Sequence, residues 1–331
     1  MRIATFNLEN LDDEADQKPS LAARVAIMGP QLERVAADVL CLQEINSQDS
    51  PQGRTLAALD TLVAGTRYQA YQRLTTKTTD GQLYVDRNLV ILSRFPLVDH
   101  PRPIIRDSSG PRPAYQVATA DPPDETADPV QWERPILYAQ VDLGSGRLLH
   151  VMNLHLKSKI ATTIKGQKLD DYTWKTPSAW AEGSFISSMK RVGQALQVRI
   201  EIDGLFTKAE QAGDPAPLIA VCGDFNAEAD EVPLRAICGQ VEDTGNPAHG
   251  PRVMVACENQ VAASTRYSLF HLGRGEMIDH VLASRALLAS LDHTEIHNEY
   301  LPDESGAFRT DVKFPESDHA PVVAQFTLLD G

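Results

Sequence analysis

Apolar residues along the chain come in short continuous runs, and most runs have a reactive polar residue at one end. Residues 218–222 form such a run, after which Gly223 opens a turn that presents Asp224 and Asn226 together. The pattern recurs three times: ATFNLENL carries a run ending on Asn7, DVLCLQE runs to Glu44, and RLLHVMNLH ends on His155. Asp279 in MIDHVLAS and the pair Asp318 and His319 in SDHAPVVAQFTLL stand instead near the beginnings of their runs. Continuous apolar runs bounded by turn residues predict buried strands. A hairpin is predicted where ERPILYAQVDL turns at Gly144, Ser145 and Gly146 into RLLHVMNLH. With strands running in opposite directions, the ends of some and the beginnings of others meet along one rim.

Helical spacing appears between these runs. Leu21, Val25, Leu32 and Val35 predict helix over residues 21–37, with Pro30 starting a second helix rather than sitting inside the first. Leu56, Leu59, Leu62 and Val63 predict another. Over residues 183–210, Phe185, Met189, Val192, Leu196 and Ile200 recur at helical spacing and predict a helix covering one sheet face. A short helix is expected at 232–237, and RNLVILSRF at 87–95 reads as a strand stopped by Pro96. Residues 99–131, rich in proline and acid, read as a surface excursion rather than a linker.

The chain has 331 residues and no stretch that divides it, so residues 1–331 are expected to form a single domain. No run of about 18 apolar residues occurs. The opening MRIATFNLENL reads as a strand rather than a cleavable leader, so a cytoplasmic location without a membrane span is expected, with export left open. Cys41, Cys222, Cys238 and Cys257 lack metal-ligand spacing and read as reduced core thiols. The net charge of −14 argues against coating nucleic acid through a broad basic surface. Between residues 157 and 191 the sign reverses, with Lys157, Lys159, Lys165, Lys168, Lys175, Lys190 and Arg191 beside Tyr172, Trp174 and Trp180. That stretch is either a loop that contacts phosphates and stacks on a base or apolar group, or a solvated loop whose aromatics pack on its own body.

The polar cluster holds carboxylates, amides and histidines but no thiolate, and oxygen ligands of that kind suit Mg²⁺ or Mn²⁺. Asp224 and Asn226 can share one small target, the carboxylate accepting a proton or holding a cation while the amide donates to an oxygen. Read alone, GDFN is equally an Asx turn capping local backbone groups. No P-loop, GxSxG, GxGxxG or HExxH element occurs.

ATFNLENL, CLQE, NLHLKSK, GDFNAE, MIDHVLAS and SDHAPV, in this order and spacing, resemble the endonuclease/exonuclease/phosphatase superfamily from one end of the chain to the other. The resemblance implies an α/β (α+β) fold: a four-layer αββα sandwich of two mixed β-sheets with helices on the outer faces, and a divalent metal, Mg²⁺ or Mn²⁺, at one end. It implies that Glu44 is the principal metal carboxylate, with Asn7 close to the metal or the phosphate and Asp318 assisting. Asp224 and Asn226 resemble the pair that orients the attacking water and the phosphate. His319 resembles the catalytic histidine and Asp279 the carboxylate that fixes its tautomer. His155 resembles a second histidine at the phosphate or the leaving oxygen. Arg134 and Tyr84 fall where some members keep a phosphate-facing arginine and an active-site tyrosine. His280, sent by strand alternation to the face opposite Asp279, reads as structural.

Hydrolysis of a phosphate ester needs a positioned water, neutralised non-bridging oxygens and help for the departing oxygen, and this set can supply all three. The leading expectation is a phosphodiesterase, with a nuclease in front, acting on a phosphate-ester substrate that includes nucleic acid among the candidates. A phosphatase of the inositol-phosphate type and a sphingomyelinase-like lipid phosphodiesterase are the alternatives. A non-catalytic binding module comes last, because Glu44, Asp224 and His319 are all present. No obligate protein partner is evident.

Overall fold

The computed structural model describes residues 1–98, 104–105, 113–214, 216–306 and 313–328. The first sheet is made by β1 (Arg2–Leu11), β2 (Val39–Ile45), β3 (Gln72–Thr75) and β4 (Asn88–Ser93). The second is made by β5 (Leu97–Val98), β6 (Ile104–Ile105), β7 (Ile136–Asp142), β8 (Leu148–His155), β9 (Leu218–Asp224), β10 (Met254–Ala256) and β11 (Asp279–Ser284). Two late strands, β12 (Leu291–Ile296) and β13 (Val322–Phe326), return to the first sheet. Its order is β12-β13-β1-β2-β4-β3, and that of the second is β10-β11-β9-β8-β7-β5, with β6 beside β7.

Each sheet is mixed around one parallel pair. β1 runs parallel to β2 and β8 parallel to β9, while β13 runs antiparallel to β1 and β11 antiparallel to β9. The parallel strands therefore deliver their C-terminal ends, and the antiparallel strands their N-terminal starts, to the same rim. The sheets share a core of Ile3, Val39, Cys41, Leu89, Leu137, Val151, Ala220, Cys222, Val281 and Val322. Outside the first sheet lie α1 (Leu21–Val35) and α2 (Ala57–Val63), and outside the second lie α3 (Pro177–Gln211) and α4 (Val232–Cys238). The expected four-layer αββα arrangement of two mixed sheets is present.

Three local expectations are corrected. Pro30 lies inside α1 and does not begin a second helix. The buried positions Arg24, Met28, Leu32 and Val35 straddle it, so packing on the sheet holds both halves in register despite the missing N–H. β1 does not end on Asn7 but continues through an irregularity to Leu11, with Glu9 and Asn10 at positive φ (45° and 50°). The third correction concerns α3. Its buried face carries Ile186, Ala195, Val198, Ile202 and Phe206, whereas Phe185, Leu196 and Ile200 are 50%, 41% and 43% exposed. The helix is apolar on two faces, so periodicity alone selects the wrong one.

The predicted hairpin forms as β7 and β8, with Gly144, Ser145 and Gly146 all at positive φ. Of the excursion at 99–131, residues 99–103 and 106–112 lie outside the described residues. Within its remainder, Ala114–Tyr115 pairs with Asp128–Pro129. No helix among the described residues is long and apolar enough to cross a membrane.

Candidate active site

The β8–β9–β11 register sets His155, Asp224 and Asp279 side by side, His155 opposite Asp224 and Asp224 opposite Asp279. Gly223 permits this. Its φ is +146°, and a Cβ there would sit 2.1 Å from the Leu154 carbonyl oxygen, so the two strand backbones approach only because no side chain intervenes. From the other sheet, Asn7 comes from the irregular part of β1, and Glu44 from the end of β2 at a φ of +58°.

These side chains meet across the gap between the sheets. Asn7 Nδ2 donates to Asp224 Oδ2 at 3.1 Å and lies 3.4 Å from Glu44 Oε1. His155 Nε2 is 3.3 Å from Asp224 Oδ2 and 3.5 Å from Glu44 Oε1, and its Nδ1 is buried without a hydrogen-bond partner. Burial, with the positive charges of Arg134 and His319, drives its pKa well below the ordinary value, so this imidazole is neutral. Asp224 is pushed up to about 7 by burial and by the negative charges of Asp279 and Glu44, against an opposing pull from His319 and the Asn226 amide.

His319 occupies the opposite wall. Its Nδ1 bonds Asp279 Oδ2 at 2.7 Å, and although burial alone would lower its pKa, Asp279 and Asp318 raise it well above the ordinary value. The ring is thus an imidazolium, oriented through Nδ1 with Nε2 turned to the cluster, 3.8 Å from Asp318 Oδ1. Ser317 Oγ ties this segment to β1 by donating to the Asn7 carbonyl and accepting from the His319 amide. Ser268 Oγ receives the Ile278 and Asp279 amides, fixing the other half of the pair.

In GDFN, Asn226 makes the Asx turn. Its amide N–H closes an Asx turn on Asp224 Oδ1, and its Nδ2 donates to Asp224 Oδ2 and to the Leu156 carbonyl. Its backbone holds a positive φ of 48°. Arg134 lies within the field of Glu44 and Asp224, burial lowers its pKa, and its guanidinium makes no hydrogen bond among the described residues. Tyr84 is not brought to the cluster by any contact, although its backbone is held by Asn88. His280 sits apart from the cluster, bonded to Glu258 at 2.5 Å and to the Ala227 carbonyl.

The family model for the Endonuclease/Exonuclease/phosphatase family matches residues 4–319. The chain belongs to this family. Its fold is shared with truncated TDP2 from Caenorhabditis elegans, at 17% identity over 99% of this chain and 97% of that one, with a TM-score of 0.55. The 3′ phosphatase NExo from Neisseria, solved with a product DNA hairpin, is 18% identical over 99% and 100% of the two chains, with a TM-score of 0.50. An AP endonuclease from Archaeoglobus fulgidus is 16% identical over the same shares, also at 0.50. No curated protein matches by sequence.

Strand-end reasoning passed over several residues that the fold brings to this cluster. Glu9, one turn of irregular backbone beyond Asn7, accepts the Asp318 amide, and burial with the charge of Asp318 lifts its pKa to about 7. Arg24 fastens this corner by donating to the carbonyls of Leu8 and Glu9. Arg87 Nε bonds Asn10 Oδ1 at 3.1 Å and lies 3.9 Å from Glu44 Oε2. Arg87 stands just before β4, at the same rim, and is recoverable by the rule that found Asp279. Four of the seven cations in the basic stretch do structural work. Lys157 Nζ caps the Ser158 and Ile160 carbonyls, and Lys159 pairs with Glu231 and Glu276. Lys190 pairs with Glu133, and Arg191 holds the carbonyls of Lys157 and Ser158.

Proposed function

We propose that the protein is a divalent-metal-dependent phosphodiesterase, a nuclease being the leading case. The observation that carries this reading is the meeting of two units over one gap: the Asp279–His319 pair on one side, and Glu44, Asn7, His155 and Asp224 on the other. The donors fit Mg²⁺ or Mn²⁺. They are oxygen-rich, and Asp279 Oδ1 and Asp318 Oδ1 are buried without hydrogen-bond partners. The carboxylates crowd one another, so that Asp318 rises to about 6 through burial, with Glu304 and Glu44 adding to the rise against His319. A divalent cation relieves that repulsion. Glu44 is its principal holder, with Asp318 assisting, and when bound it neutralises the phosphate and lowers the pKa of a water. Asp224, Asp279 and His319 also offer ligand atoms within 4.8 Å of one another, but Asp279 and His319 hold each other.

The remaining steps belong to side chains. Asn7 Oδ1 accepts the Glu9 amide, which turns Nδ2 to the cluster, where it donates to Asp224 and Glu44 and holds the two carboxylates together. Asp224, held by Asn226, orients the attacking water. The His319 imidazolium, with Asp279 behind it, stabilises charge developing on the phosphoryl oxygens, while neutral His155 serves the phosphate and the leaving oxygen. Arg134, whose guanidinium makes no hydrogen bond among the described residues, supplies a phosphate contact. A substrate with several extra phosphates would require further unengaged cations nearby, and Lys157, Lys159, Lys190 and Arg191 are engaged. This favours diesters. The AP endonuclease and the DNA-bound 3′ phosphatase NExo, which share the fold, support nucleic acid as the first substrate to try.

The test is hydrolysis of bis-p-nitrophenyl phosphate beside p-nitrophenyl phosphate, with Mg²⁺, Mn²⁺ or EDTA. Metal-dependent diester cleavage that disappears in His319→Ala supports the reading. Cleavage of the monoester alone replaces it with a phosphatase.

A further inference from the structure

One layer below the candidate active site, three fully buried polar side chains meet between the sheets: Thr5, Gln43 and Asn153. Thr5 on β1 and Asn153 on β8 each stand two residues before a cluster residue, Asn7 and His155, and so share its face of the sheet. Gln43 on β2 immediately precedes Glu44. Gln43 Nε2 donates to Asn153 Oδ1 at 2.7 Å and to Thr5 Oγ1 at 3.1 Å. Asn153 Nδ2 donates in turn to two carbonyls of the first sheet, Leu42 at 3.0 Å and Val90 at 2.9 Å. The amide has one workable orientation, because a flipped Asn153 would set its oxygen against both carbonyls.

Leu42 and Val90 are the last regular pair of β2 and β4 before a break in the ladder. Pairing resumes at Ile45 and Asn88, so Gln43 and Glu44 stand opposite Leu89 alone, a β-bulge. Glu44 occupies the bulge at a φ of +58°, a conformation open to glycine and unfavourable for glutamate. Regular alternation would send Glu44 to the face opposite Gln43; the bulge turns its carboxylate to Asn7 and His155 instead. A residue held in that way persists only where its surroundings over-determine it. Asn88 Nδ2 secures the far side of the bulge through the Ile45 carbonyl at 3.0 Å, and Asn153 secures the near side.

We infer that Asn153 is a positioning residue that aims Glu44 from the opposite sheet. Its amide bonds the strand that carries Glu44 to the strand that carries His155, so it sets the spacing of the two across the gap. A polar group buried this deeply is costly unless its bonds are kept, which makes the network rigid rather than merely tolerated. Removing a side chain that supports a metal ligand typically costs about 10–100-fold in metal affinity. The consequence for a bound cation rests on the metal-dependent reading above; the hold on the bulge does not.

The experiment compares Asn153→Leu, which keeps the volume and removes both donors, with Val151→Ala, which damages the same face of β8 one layer deeper. Mn²⁺ binding is read by isothermal titration calorimetry, and hydrogen exchange over residues 42–46 by mass spectrometry without metal. Asn153→Leu is expected to raise the Mn²⁺ dissociation constant at least about 10-fold and to speed exchange selectively over residues 42–46. Val151→Ala is expected to lower the melting temperature while leaving both readings as in wild type. Unchanged Mn²⁺ affinity in Asn153→Leu overturns the proposal, as does an equal effect of the two variants. Where Asn153→Leu does not fold, Gln43→Met, which removes the bond that orients the amide, carries the same comparison. If wild type itself binds no Mn²⁺, the metal-dependent reading falls, and unchanged exchange over residues 42–46 in Asn153→Leu then overturns the hold on the bulge separately.

Discussion

The hydrogen bond between Asp279 and His319 does two jobs with one contact. It fixes the histidine tautomer, leaving Nε2 toward the cluster, and its negative charge holds the ring protonated against the pull of burial. Asp279→Asn keeps the shape and removes the charge, so kcat is expected to fall about 100-fold or more while circular dichroism stays unchanged. A drop in KM alone, with kcat intact, contradicts this role. Glu44 makes the complementary prediction. Mg²⁺ or Mn²⁺ at 100 times its dissociation constant is expected to stabilise wild type by about 2.7 kcal/mol and Glu44→Ala hardly at all, read as a shift in melting temperature. At this scale the sequence was informative wherever chemistry sits at a strand end, which is how Asn7, Glu44, His155, Asp224 and Asp279 could be read. It was silent on Ser317, Ser268 and Arg24, which act by bonding backbone groups brought close only by folding. It also passed over Glu9, because nothing in the pattern shows the chain turning through positive φ after Asn7.

At the scale of elements, the places of most strands and helices were legible, but the buried face of the longest helix was not. A strand buried on both sides is a continuous apolar run whichever face is asked about, so β2, β4, β9 and β11 are visible without knowing the partners. A helix must be assigned a face. On α3 the stripe with the larger side chains is outward, and the inward face includes Gly183, Ser187, Arg191 and Gln194, which sequence reading takes for solvent positions. Those polar groups are inside because they hold the loop after β8: Arg191 takes the Lys157 carbonyl, and Gln194 the Lys157 amide. The loop that follows His155 is thereby fixed from behind. In α1, packing on either side of Pro30 overrides a local stop signal. Pro30→Ala restores the missing N–H while loosening the unfolded chain. The net result is expected to be a gain of about 1–2 kcal/mol in urea unfolding, with no loss of structure. Destabilisation instead would mean that the Pro30 ring itself is needed for the packing.

Across the whole molecule, the site depends on the first sheet staying closed at its late strands, because His319 is delivered by the segment leading into β13. That sheet's edge is pinned by one polar cluster. Arg2 Nη2 pairs with Glu295 Oε2 at 2.9 Å, and Glu295 also bonds His293 and His297, joining β12 to the first strand of the chain. The Arg2 hydrogen bond is the largest influence holding the Glu295 pKa far below the usual carboxylate range, with the histidines adding to it. A depressed carboxylate pKa contributes stability above the unfolded value of about 4.3, and that contribution is lost as pH falls toward the folded value. His293 has the opposite sign. Its pKa is raised, chiefly by Glu295, so its contribution is full below about 6.5 and disappears as pH rises through the folded value. Both windows overlap at about pH 5–6. The difference in melting temperature between wild type and Glu295→Gln is therefore expected to peak there and to shrink on both sides. These groups are partly exposed and screened, so the peak difference is expected to be about 1–2 °C and smaller in high salt. A difference that grows steadily toward pH 3 would show that acid unfolding begins elsewhere, and would remove this cluster as the clamp that keeps the His319 segment in place.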